Sequence, residues 1–366
     1  MPDQDHAVQL LTPEGERVEH PDYASDLTDD DLRSLYRDLV LVRRLDVEAT
    51  ALQRHGELGL WPPLLGQEAA QIGAGRALRA QDHVFPTYRE HGVAWCRGVD
   101  PLRLLSLFRG CDQGSWDPEE HHFGLYTVVI GAQTLHATGY AMGVQRDGLV
   151  GTGDPSRDMA VVAHLGDGAT SQGDVNEAFV FAASYGAPVV FFCQNNQWAI
   201  SEPTTRQSTQ ALYRRAAGFG FPGVRVDGND VLATYAVTKA ALQRARDGGG
   251  PTFVEAFTYR MGAHTTTDDP TRYRLSGEVE RWKLRDPIAR VEAYLRRGGL
   301  ASQEFFAAVE AEAEELGERL RAGCRALPDP DPVALFDNVY GETPAELVGQ
   351  RDDYAAYLAS FEEVGA

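Results

Sequence analysis

The sequence has few cysteines and lacks the signatures of several common protein classes. Neither zinc-type nor redox-type spacing links its four cysteines, which are Cys96, Cys111, Cys193 and Cys324. It has ten histidines but no HExxH zinc motif. It shows no signal peptide and no apolar run long enough to span a membrane. These absences predict a chain of the reducing cytoplasm that binds no transition metal.

The chain also lacks the two commonest nucleotide-binding motifs, the dinucleotide fingerprint GxGxxG and the phosphate loop GxxxxGKS/T. Lysine is almost absent, since Lys239 and Lys283 are the only two. Arginine therefore carries nearly all positive charge, which suits bidentate phosphate binding but also arises from genome composition. The formal net charge is −20 and the pI is near 4.9. This charge argues against nucleic acid or an anionic membrane as the main partner.

The 366 residues can bury a large core, and no Ser/Gly-rich spacer, Pro-rich spacer or fixed-period repeat divides them. We therefore expect one α/β domain over residues 26–330. An N-terminal arm over 1–25 and a C-terminal tail over 331–366, packing on a subunit interface, would flank it. Apolar residues with helical spacing predict an amphipathic helix over about 28–55. The pattern from 278 to 327 is also helical, and its acidic stretch is most simply a solvated face.

Short apolar runs predict three buried strands, at residues 161–165, 188–193 and 252–257. The segment between the first two predicts a helix, because Asp174 and Glu177 resemble a capping box and Gly186 would end it. The first two strands and this helix therefore predict a βαβ unit. A loop at 260–270, which we expect to move, follows the third strand.

Asp167 and Asn196 each directly follow one of the first two strands. Ligands gather at the carboxyl ends of parallel strands, and neighbouring strands are about 4.8 Å apart, so both side chains can share one ion. Mg²⁺ is predicted, with the main-chain carbonyl near Trp198 as a third oxygen and with diphosphate and water as the remaining ligands. Gly168 and Gly173 would let the backbone approach a phosphate closely. Each motif alone would be an ordinary turn, but their joint occurrence favours the site.

The pair of motifs also carries a family resemblance. One segment resembles the thiamine diphosphate-binding signature. It begins with Gly166-Asp167-Gly168, continues through 26 further residues and ends with Asn195-Asn196. With TYREHG at 87–92, IGAQ at 130–133, QNNQWAIS at 194–201 and RMGAHTTTDDPTRYR at 260–274, the chain resembles a more specific protein class. That class is the α subunit of the thiamine diphosphate-dependent first component of 2-oxo acid dehydrogenase complexes, of the pyruvate and branched-chain types.

The resemblance runs from about residue 27 to about residue 287 and implies both a fold and a site. The implied fold is α/β, a thiamine diphosphate-binding fold with a Rossmann-like parallel sheet flanked by helices and with helical additions at both termini. The implied cofactor-binding residues are Tyr88, Arg89, Val128, Ile130, Gly166, Gly168, Ala169, Asn196 and His264. The implied Mg²⁺ ligands are Asp167, Asn196 and the Trp198 carbonyl. Taken alone, Val128 and Ile130 look like core, and Arg89 looks as much like a surface residue as a phosphate ligand.

His264 is the one catalytic residue that the resemblance implies. A histidine in a loop is more often a solvent-exposed titrating group. In the resembled family, the matching histidine lies at the mouth of the active site and takes part in the reductive acylation of lipoamide. A histidine with a pKa near neutrality can pass a proton to the dithiolane sulfur as that ring opens.

The resemblance also implies partners, because it covers only the half that binds the cofactor diphosphate. The family's glutamate that activates the aminopyrimidine lies on a β subunit, which implies an α₂β₂ heterotetramer. A lipoyl domain of the acyltransferase component and a small 2-oxo acid complete the expected partners. TYREHG and IGAQ lean towards pyruvate, but these residues do not decide between pyruvate and branched-chain 2-oxo acids.

Two rival functions remain open from the residues. An acetoin dehydrogenase α subunit, or another split thiamine enzyme such as a split transketolase, would share much of the motif set. A non-catalytic Mg²⁺-nucleotide-binding module would use a Rossmann-like scaffold without catalysis. The missing nucleotide-binding motifs argue against this second rival.

Overall fold

A parallel sheet lies at the centre of the molecule. The computed structural model describes residues 7–112, 114–337 and 339–362, so residues 1–6 of the predicted arm and residues 338 and 363–366 of the predicted tail lie outside it. In the described part the strands are β1 (His83–Phe85), β2 (Val161–Gly166), β3 (Val189–Asn195), β4 (Trp198–Ala199), β5 (Glu202–Pro203), β6 (Gly223–Asp227) and β7 (Thr252–Phe257). Five of them form one parallel sheet in the order β1-β2-β3-β7-β6, and β4 and β5 form a small antiparallel hairpin.

Helices cover both faces of this sheet. In the described residues they are α1 (Asp29–Arg54), α2 (Glu68–Arg76), α3 (His91–Cys96), α4 (Pro101–Arg109), α5 (Pro118–His121), α6 (Ala132–Arg146), α7 (Gly173–Tyr185), α8 (Thr204–Gln207), α9 (Arg215–Phe219), α10 (Val231–Arg246), α11 (Ser276–Lys283), α12 (Pro287–Arg297), α13 (Gln303–Ala326) and α14 (Ala345–Glu362). None of them combines the length and apolar character needed to cross a membrane, as far as the described residues go.

The sheet has an apolar core on each face, because alternate residues of a strand point to opposite sides. On β2, Val162 belongs to the core that the sheet shares with α2 and α10. Val161 and Ala163 belong to the core shared with α6 and α7. The predicted α/β class, a parallel sheet flanked by helices, is therefore confirmed, and so are the three predicted strands.

The predicted N-terminal helix is confirmed as α1. The Thr28 hydroxyl accepts a hydrogen bond from the Asp31 N–H at 3.2 Å, and the Asp31 carboxylate accepts one from the Thr28 N–H at 2.9 Å. This reciprocal pair satisfies two backbone donors that the first turn leaves without helical partners. The buried face of α1 packs mainly on α13. The predicted helical region from 278 to 327 is confirmed as α11, α12 and α13.

The predicted start of α7 is wrong. The helix begins at Gly173, its N-cap is Gln172, and no side chain caps it. Asp174 therefore lies inside the first turn rather than at the cap. The reason is that the chain leaves the 3₁₀ turn Asp167–Ser171 through the extended residue Gln172, so the helix starts before Asp174 and a capping box from Asp174 to Glu177 cannot form. The end of the helix is as predicted, because the residue after Tyr185 is a glycine with φ of 59°.

Part of the predicted N-terminal arm packs on the sheet. Val8 forms a parallel bridge with Val226, and its side chain is buried in the sheet core with those of Leu10 and Leu11. The N–H groups of Leu10 and Leu11 donate to Asp230 at 2.7 and 2.6 Å. The polar residues around this short apolar run hid it in the sequence. For the described part of the tail, packing on a subunit interface stays a prediction.

Candidate functional site

A cavity of about 470 Å³ opens at the carboxyl ends of β2 and β3. Every residue predicted to bind the cofactor, to bind the metal or to act in catalysis lines it: Tyr88, Arg89, Val128, Ile130, Gly166, Asp167, Gly168, Ala169, Asn196, Trp198 and His264. They come from five separate segments of the chain. The parallel pairing of β2 with β3 brings the turns after both strands to the same edge, which explains why Asp167 and Asn196 meet there.

Asp167 is the only ionised side chain among the predicted metal ligands, and it is buried. In the described residues, both hydrogen bonds to its carboxylate end on Oδ2, from the Thr204 hydroxyl at 2.6 Å and from Gln207 Nε2 at 3.5 Å. Burial raises the pKa of Asp167 to about 6, and the Thr204 hydrogen bond opposes this rise. A cation beside the carboxylate would favour its ionised form.

The orientation of the Asn196 amide follows from its neighbours. The Trp198 N–H can donate only to an oxygen, so the atom 3.2 Å from it is Asn196 Oδ1. The Asn196 Nδ2 group then donates to Gln67 Oε1 at 3.0 Å. An amide oxygen that accepts one hydrogen bond keeps a second lone pair for a metal. Gln67 Nε2, in turn, is a buried donor without a partner among the described residues.

The third predicted metal ligand, the Trp198 carbonyl, already accepts a hydrogen bond from Arg260 Nη1 at 3.1 Å. It can hold a metal only through its second lone pair. The described residues contain no group of three or more His, Cys, Asp or Glu side chains able to hold a metal. The oxygens of Asp167 and Asn196 form a set of one carboxylate and one amide. This donor chemistry suits Mg²⁺ that takes its other ligands from phosphate and water.

Two buried arginines supply positive charge near the cavity: Arg89 lines it, and Arg260 contacts His264, which also lines it. Arg89 donates to the carbonyls of Pro63 at 2.6 Å and His264 at 2.8 Å. Arg260 donates to the carbonyls of Trp198 and Ile200 and to the Tyr273 hydroxyl at 2.9 Å. These acceptors are neutral, so the hydrogen bonds orient the guanidinium groups without cancelling their charge. Burial, reinforced by Arg89, lowers the pKa of Arg260 to about 10.

The burial of Arg89 excludes the alternative of a surface arginine beside a core tyrosine. Arg89 is 5 % exposed, whereas Tyr88 is half-buried. The Arg89 guanidinium lies 5.5 Å from the centre of the Tyr88 ring. Both side chains therefore stand at the same part of the cavity wall.

His264 stands beside the two arginines. Its Nδ1 atom lies 3.4 Å from Arg89 Nη2 and 3.3 Å from Arg260 Nη1. Burial, followed by the charges of Arg89 and Arg260, lowers the pKa of His264 to about 3. Since both neighbours are donors, Nδ1 is the acceptor and the proton of the neutral ring is on Nε2. Asp268 holds the loop by accepting the His264 N–H at 2.9 Å.

The residues described so far, Arg89, Asp167, Asn196 and His264, form the polar wall of the cavity. A second wall of the same cavity is apolar. Val128 and Ile130 look like core in the sequence, yet their side chains are exposed, together with those of Leu125 and Val129. Their segment is irregular and leads into Gly131, whose φ of 91° precedes α6. Contiguous exposed apolar residues beside a polar cavity are typical of a surface that another chain covers.

The structure adds residues that sequence reasoning missed. Gln67 accepts a hydrogen bond from Asn196, and Thr204 donates one to Asp167. Neither Gln67 nor Thr204 belongs to a motif that sequence reasoning recognised. The structure also gives Gly168 a second reason. A Cβ atom on Gly168 would lie 2.6 Å from Ala199 Cβ, so glycine is required there by the β4–β5 hairpin, whatever its relation to a phosphate.

Comparison with known proteins identifies relatives along almost the whole chain. Residues 36–319 match the family described as the dehydrogenase E1 component. The 3-methyl-2-oxobutanoate dehydrogenase subunit alpha of Mycobacterium tuberculosis strain H37Rv is 47% identical over 353 residues, which are 96% of this chain and 94% of that protein. The pyruvate dehydrogenase E1 component subunit alpha of Bacillus cereus is 36% identical over 349 residues, 95% of this chain and 92% of that protein. The subunit of the same name from Staphylococcus aureus strain Mu50 is 36% identical over 357 residues, with the same two coverages.

Proposed function

Because the chain belongs to the dehydrogenase E1 component family, we propose that it is the α subunit of a thiamine diphosphate-dependent 2-oxo acid dehydrogenase. The cavity would hold the diphosphate end of the cofactor together with Mg²⁺. The observation that carries this proposal is the convergence of all the predicted site residues on one cavity. They come from distant parts of the sequence, and a set of unrelated turns would have no reason to meet.

The polar wall offers what a metal diphosphate needs. Asp167 and Asn196 would bind Mg²⁺ through oxygens, as this ion prefers. Arg89, which lines the cavity, would bind the phosphate oxygens, which guanidinium groups do with good geometry, and the nearby positive charge of Arg260 would add to the attraction. Their existing hydrogen bonds to carbonyls fix their positions before the ligand arrives. Preorganised charge of this kind lowers the cost of ordering side chains on binding.

Bound thiamine diphosphate supplies a carbanion for attack on the 2-oxo carbon and an electron sink for the loss of CO₂. The chain's own residues would bind and orient that cofactor, and His264 would handle a proton. The diphosphate would offset the charges of Arg89 and Arg260, which now lower the His264 pKa. The pKa would rise, and His264 could then give a proton to the sulfur of a lipoyl disulfide as it opens.

The apolar wall is the proposed contact for a β subunit. Val128, Val129 and Ile130 expose apolar surface at the mouth of the cavity. A β subunit on this wall would close the cavity and supply the groups for the aminopyrimidine end. The working enzyme would then be an α₂β₂ heterotetramer that passes its acyl group to a lipoyl domain.

We propose 3-methyl-2-oxobutanoate as the preferred substrate and pyruvate as the second candidate. The relative named for the branched-chain acid is 47% identical, whereas those named for pyruvate are 36% identical. TYREHG and IGAQ lean towards pyruvate, which keeps that acid in consideration. The two acids differ by two CH₂ units, each of which discriminates by only ~1–3 kcal/mol, so the preference will be a ratio rather than an exclusion.

The test is to purify the chain with its β subunit and to follow CO₂ release from both acids with thiamine diphosphate and Mg²⁺. We expect turnover with the complex and none with the isolated α chain, because the α chain holds only the diphosphate end. Calorimetry with thiamine diphosphate, ATP and NAD separates an enzyme from a nucleotide-binding module. Turnover by the α chain alone, at the rate of the complex, would overturn the heterotetramer proposal.

A further inference from the structure

We propose that Thr204 is a positioning residue that holds Asp167 ready for the metal. The Thr204 hydroxyl would occupy one carboxylate oxygen of Asp167, so that the other oxygen faces the cavity. This inference rests on the proposed function, because it concerns the proposed Mg²⁺ site. It assigns a role to a residue that lies outside both signature motifs.

The first step is to place the hydroxyl proton. Thr204 Oγ1 lies 2.6 Å from Asp167 Oδ2 and 3.2 Å from Asn195 Oδ1. A hydroxyl has one proton to donate, and a carboxylate is the stronger acceptor. Asn195 Oδ1 already accepts the Gln197 N–H at 3.1 Å. The shorter, charge-assisted hydrogen bond to Asp167 is therefore the one that the proton makes.

The second step is to see what holds Thr204. The β4–β5 hairpin returns the chain to the Gly-Asp-Gly turn, and the Thr204 N–H donates to the Gln197 carbonyl at 3.1 Å. Gln197 and Ile200 have φ values of 71° and 53°, which side-chain-bearing residues rarely adopt. Such conformations persist only where the surrounding structure enforces them. The hairpin is thus a fixed support that places Thr204 beside Asp167.

The third step concerns the oxygen left over. Since the donors from Thr204 and Gln207 both meet Oδ2, the Oδ1 atom of Asp167 is the one available to a ligand in the cavity that Asp167 lines. Without the hydroxyl, the buried carboxylate would lose its shortest hydrogen bond and its fixed rotation. Loss of a group that orients a metal ligand typically weakens metal binding by about 10–100-fold.

The experiment uses the α/β complex and three variants of this chain. Thr204→Val keeps the shape but removes the hydroxyl, Thr204→Ser keeps the hydroxyl, and Thr205→Val changes the exposed neighbour. Titration calorimetry with MgCl₂ in the presence of thiamine diphosphate gives the Mg²⁺ dissociation constant. We expect it to rise at least about tenfold in Thr204→Val and to stay within about threefold of wild type in the other two.

Two results would overturn the role of Thr204. One is a Thr204→Val complex that binds Mg²⁺ as tightly as wild type. The other is equal loss in Thr204→Ser and Thr204→Val with a lowered melting temperature in both, because a packing role would not be rescued by the hydroxyl. An Asp167→Ala complex, measured alongside, distinguishes a failure of the proposed Thr204 role from a failure of the proposed Mg²⁺ site. If it and wild type bind thiamine diphosphate and Mg²⁺ equally, the proposed site itself fails, whereas a loss in Asp167→Ala alone overturns only Thr204.

Discussion

The two walls of the cavity reverse the usual relation between polarity and exposure. On the polar wall, Asp167 is 1% exposed, Arg89 5% and Asn196 7%. On the apolar wall, Val128 is 73% exposed and Val129 70%. Burying charge and exposing large apolar side chains both cost free energy unless something compensates. The reversal supports the two partners proposed above, a charged ligand for one wall and an apolar protein surface for the other.

The walls also differ in how they are built. The polar wall follows the ends of β2 and β3 and is fixed by a hydrogen bond from Thr204 to Asp167 and by one from Asn196 to Gln67. The apolar wall is an irregular segment, 125–130, without a strand or helix of its own. A ligand that meets the polar wall finds it preorganised, whereas the apolar wall depends on the surface that covers it. Substitutions on the polar wall should consequently impair ligand binding or activity, whereas those on the apolar wall should impair subunit association.

The largest effect is expected on the polar wall, from Asp167→Ala. It removes the only ionised side chain proposed to hold Mg²⁺, so Mg²⁺-dependent binding of thiamine diphosphate should weaken by more than about a hundredfold. Calorimetry on the α/β complex measures this. Asp174→Ala, an exposed change in the first turn of α7, is the matched control and should bind normally. Unchanged affinity in Asp167→Ala would show that the wall is buried for another reason.

The polar wall was predictable from the sequence only as far as local patterns reach. Asp167 and Asn196 follow apolar runs that identify strands, and parallel strands bring their carboxyl ends together. Thr204 and Gln67 escaped prediction because their partners are 37 and 129 residues away. The burial of Arg260 was equally invisible, since the arginine of a polar loop gives no sign of the carbonyls that will surround it.

The fold shows the same limit. The strands of the βαβ unit and β7 were predictable, but β1 and β6 were missed. β1 has three residues, too few for a periodic pattern. β6 contains Arg225, which a buried strand tolerates because Glu255 lies beside it on β7 and accepts its hydrogen bond at 3.0 Å. Val128 and Ile130 looked like core because apolar sequence cannot say whether its own chain or another one covers it.

A second substitution on the polar wall tests the task of its histidine. His264→Ala should reduce acyl transfer to lipoamide by about a hundredfold, the lower range for loss of a general acid. It should spare decarboxylation measured with an artificial electron acceptor, because no disulfide opens in that assay. His136→Ala, at an exposed position on α6, should leave both rates unchanged. Equal losses in the two assays would assign His264 to cofactor anchoring instead.

A substitution on the apolar wall should weaken subunit association rather than cofactor binding. Val128→Asp should weaken association with the β subunit by about thirtyfold, the effect of losing one strong contact of ~2 kcal/mol at an interface. Val47→Asp changes a residue on α1 that is 52% exposed and is the control. Analytical ultracentrifugation of the mixed subunits gives both affinities. If Val128→Asp assembles like Val47→Asp, the apolar wall is not the β contact.

The smallest effect is expected from His164, a buried histidine that belongs to neither wall. His164 lies on β2, three residues before Asp167, and is 0% exposed. Neither ring nitrogen has a partner among the described residues. Burial lowers the pKa of His164 to about 3 from an ordinary value of 6.5. Unlike the charged groups of the polar wall, this imidazole has no ligand to offset its burial, so its cost should appear in the stability of the fold.

The sign of that cost is set by the depressed pKa. The unfolded chain binds a proton at His164 more readily than the folded one, so stability is lost as pH falls through 6.5 towards 3. Between pH 7 and pH 5.5 the loss is about 1 kcal/mol. His164→Leu removes the pH-dependent part of the unfolding free energy that His164 contributes, whatever the substitution does to packing at pH 7. The other histidines contribute equally to wild type and to the variant. Urea denaturation of the α/β complex at the two pH values should therefore show a smaller pH dependence in His164→Leu than in wild type, with exposed His136→Leu matching wild type. Identical pH dependence in all three would mean that the folded protein satisfies the protonated imidazole, for example through buried water.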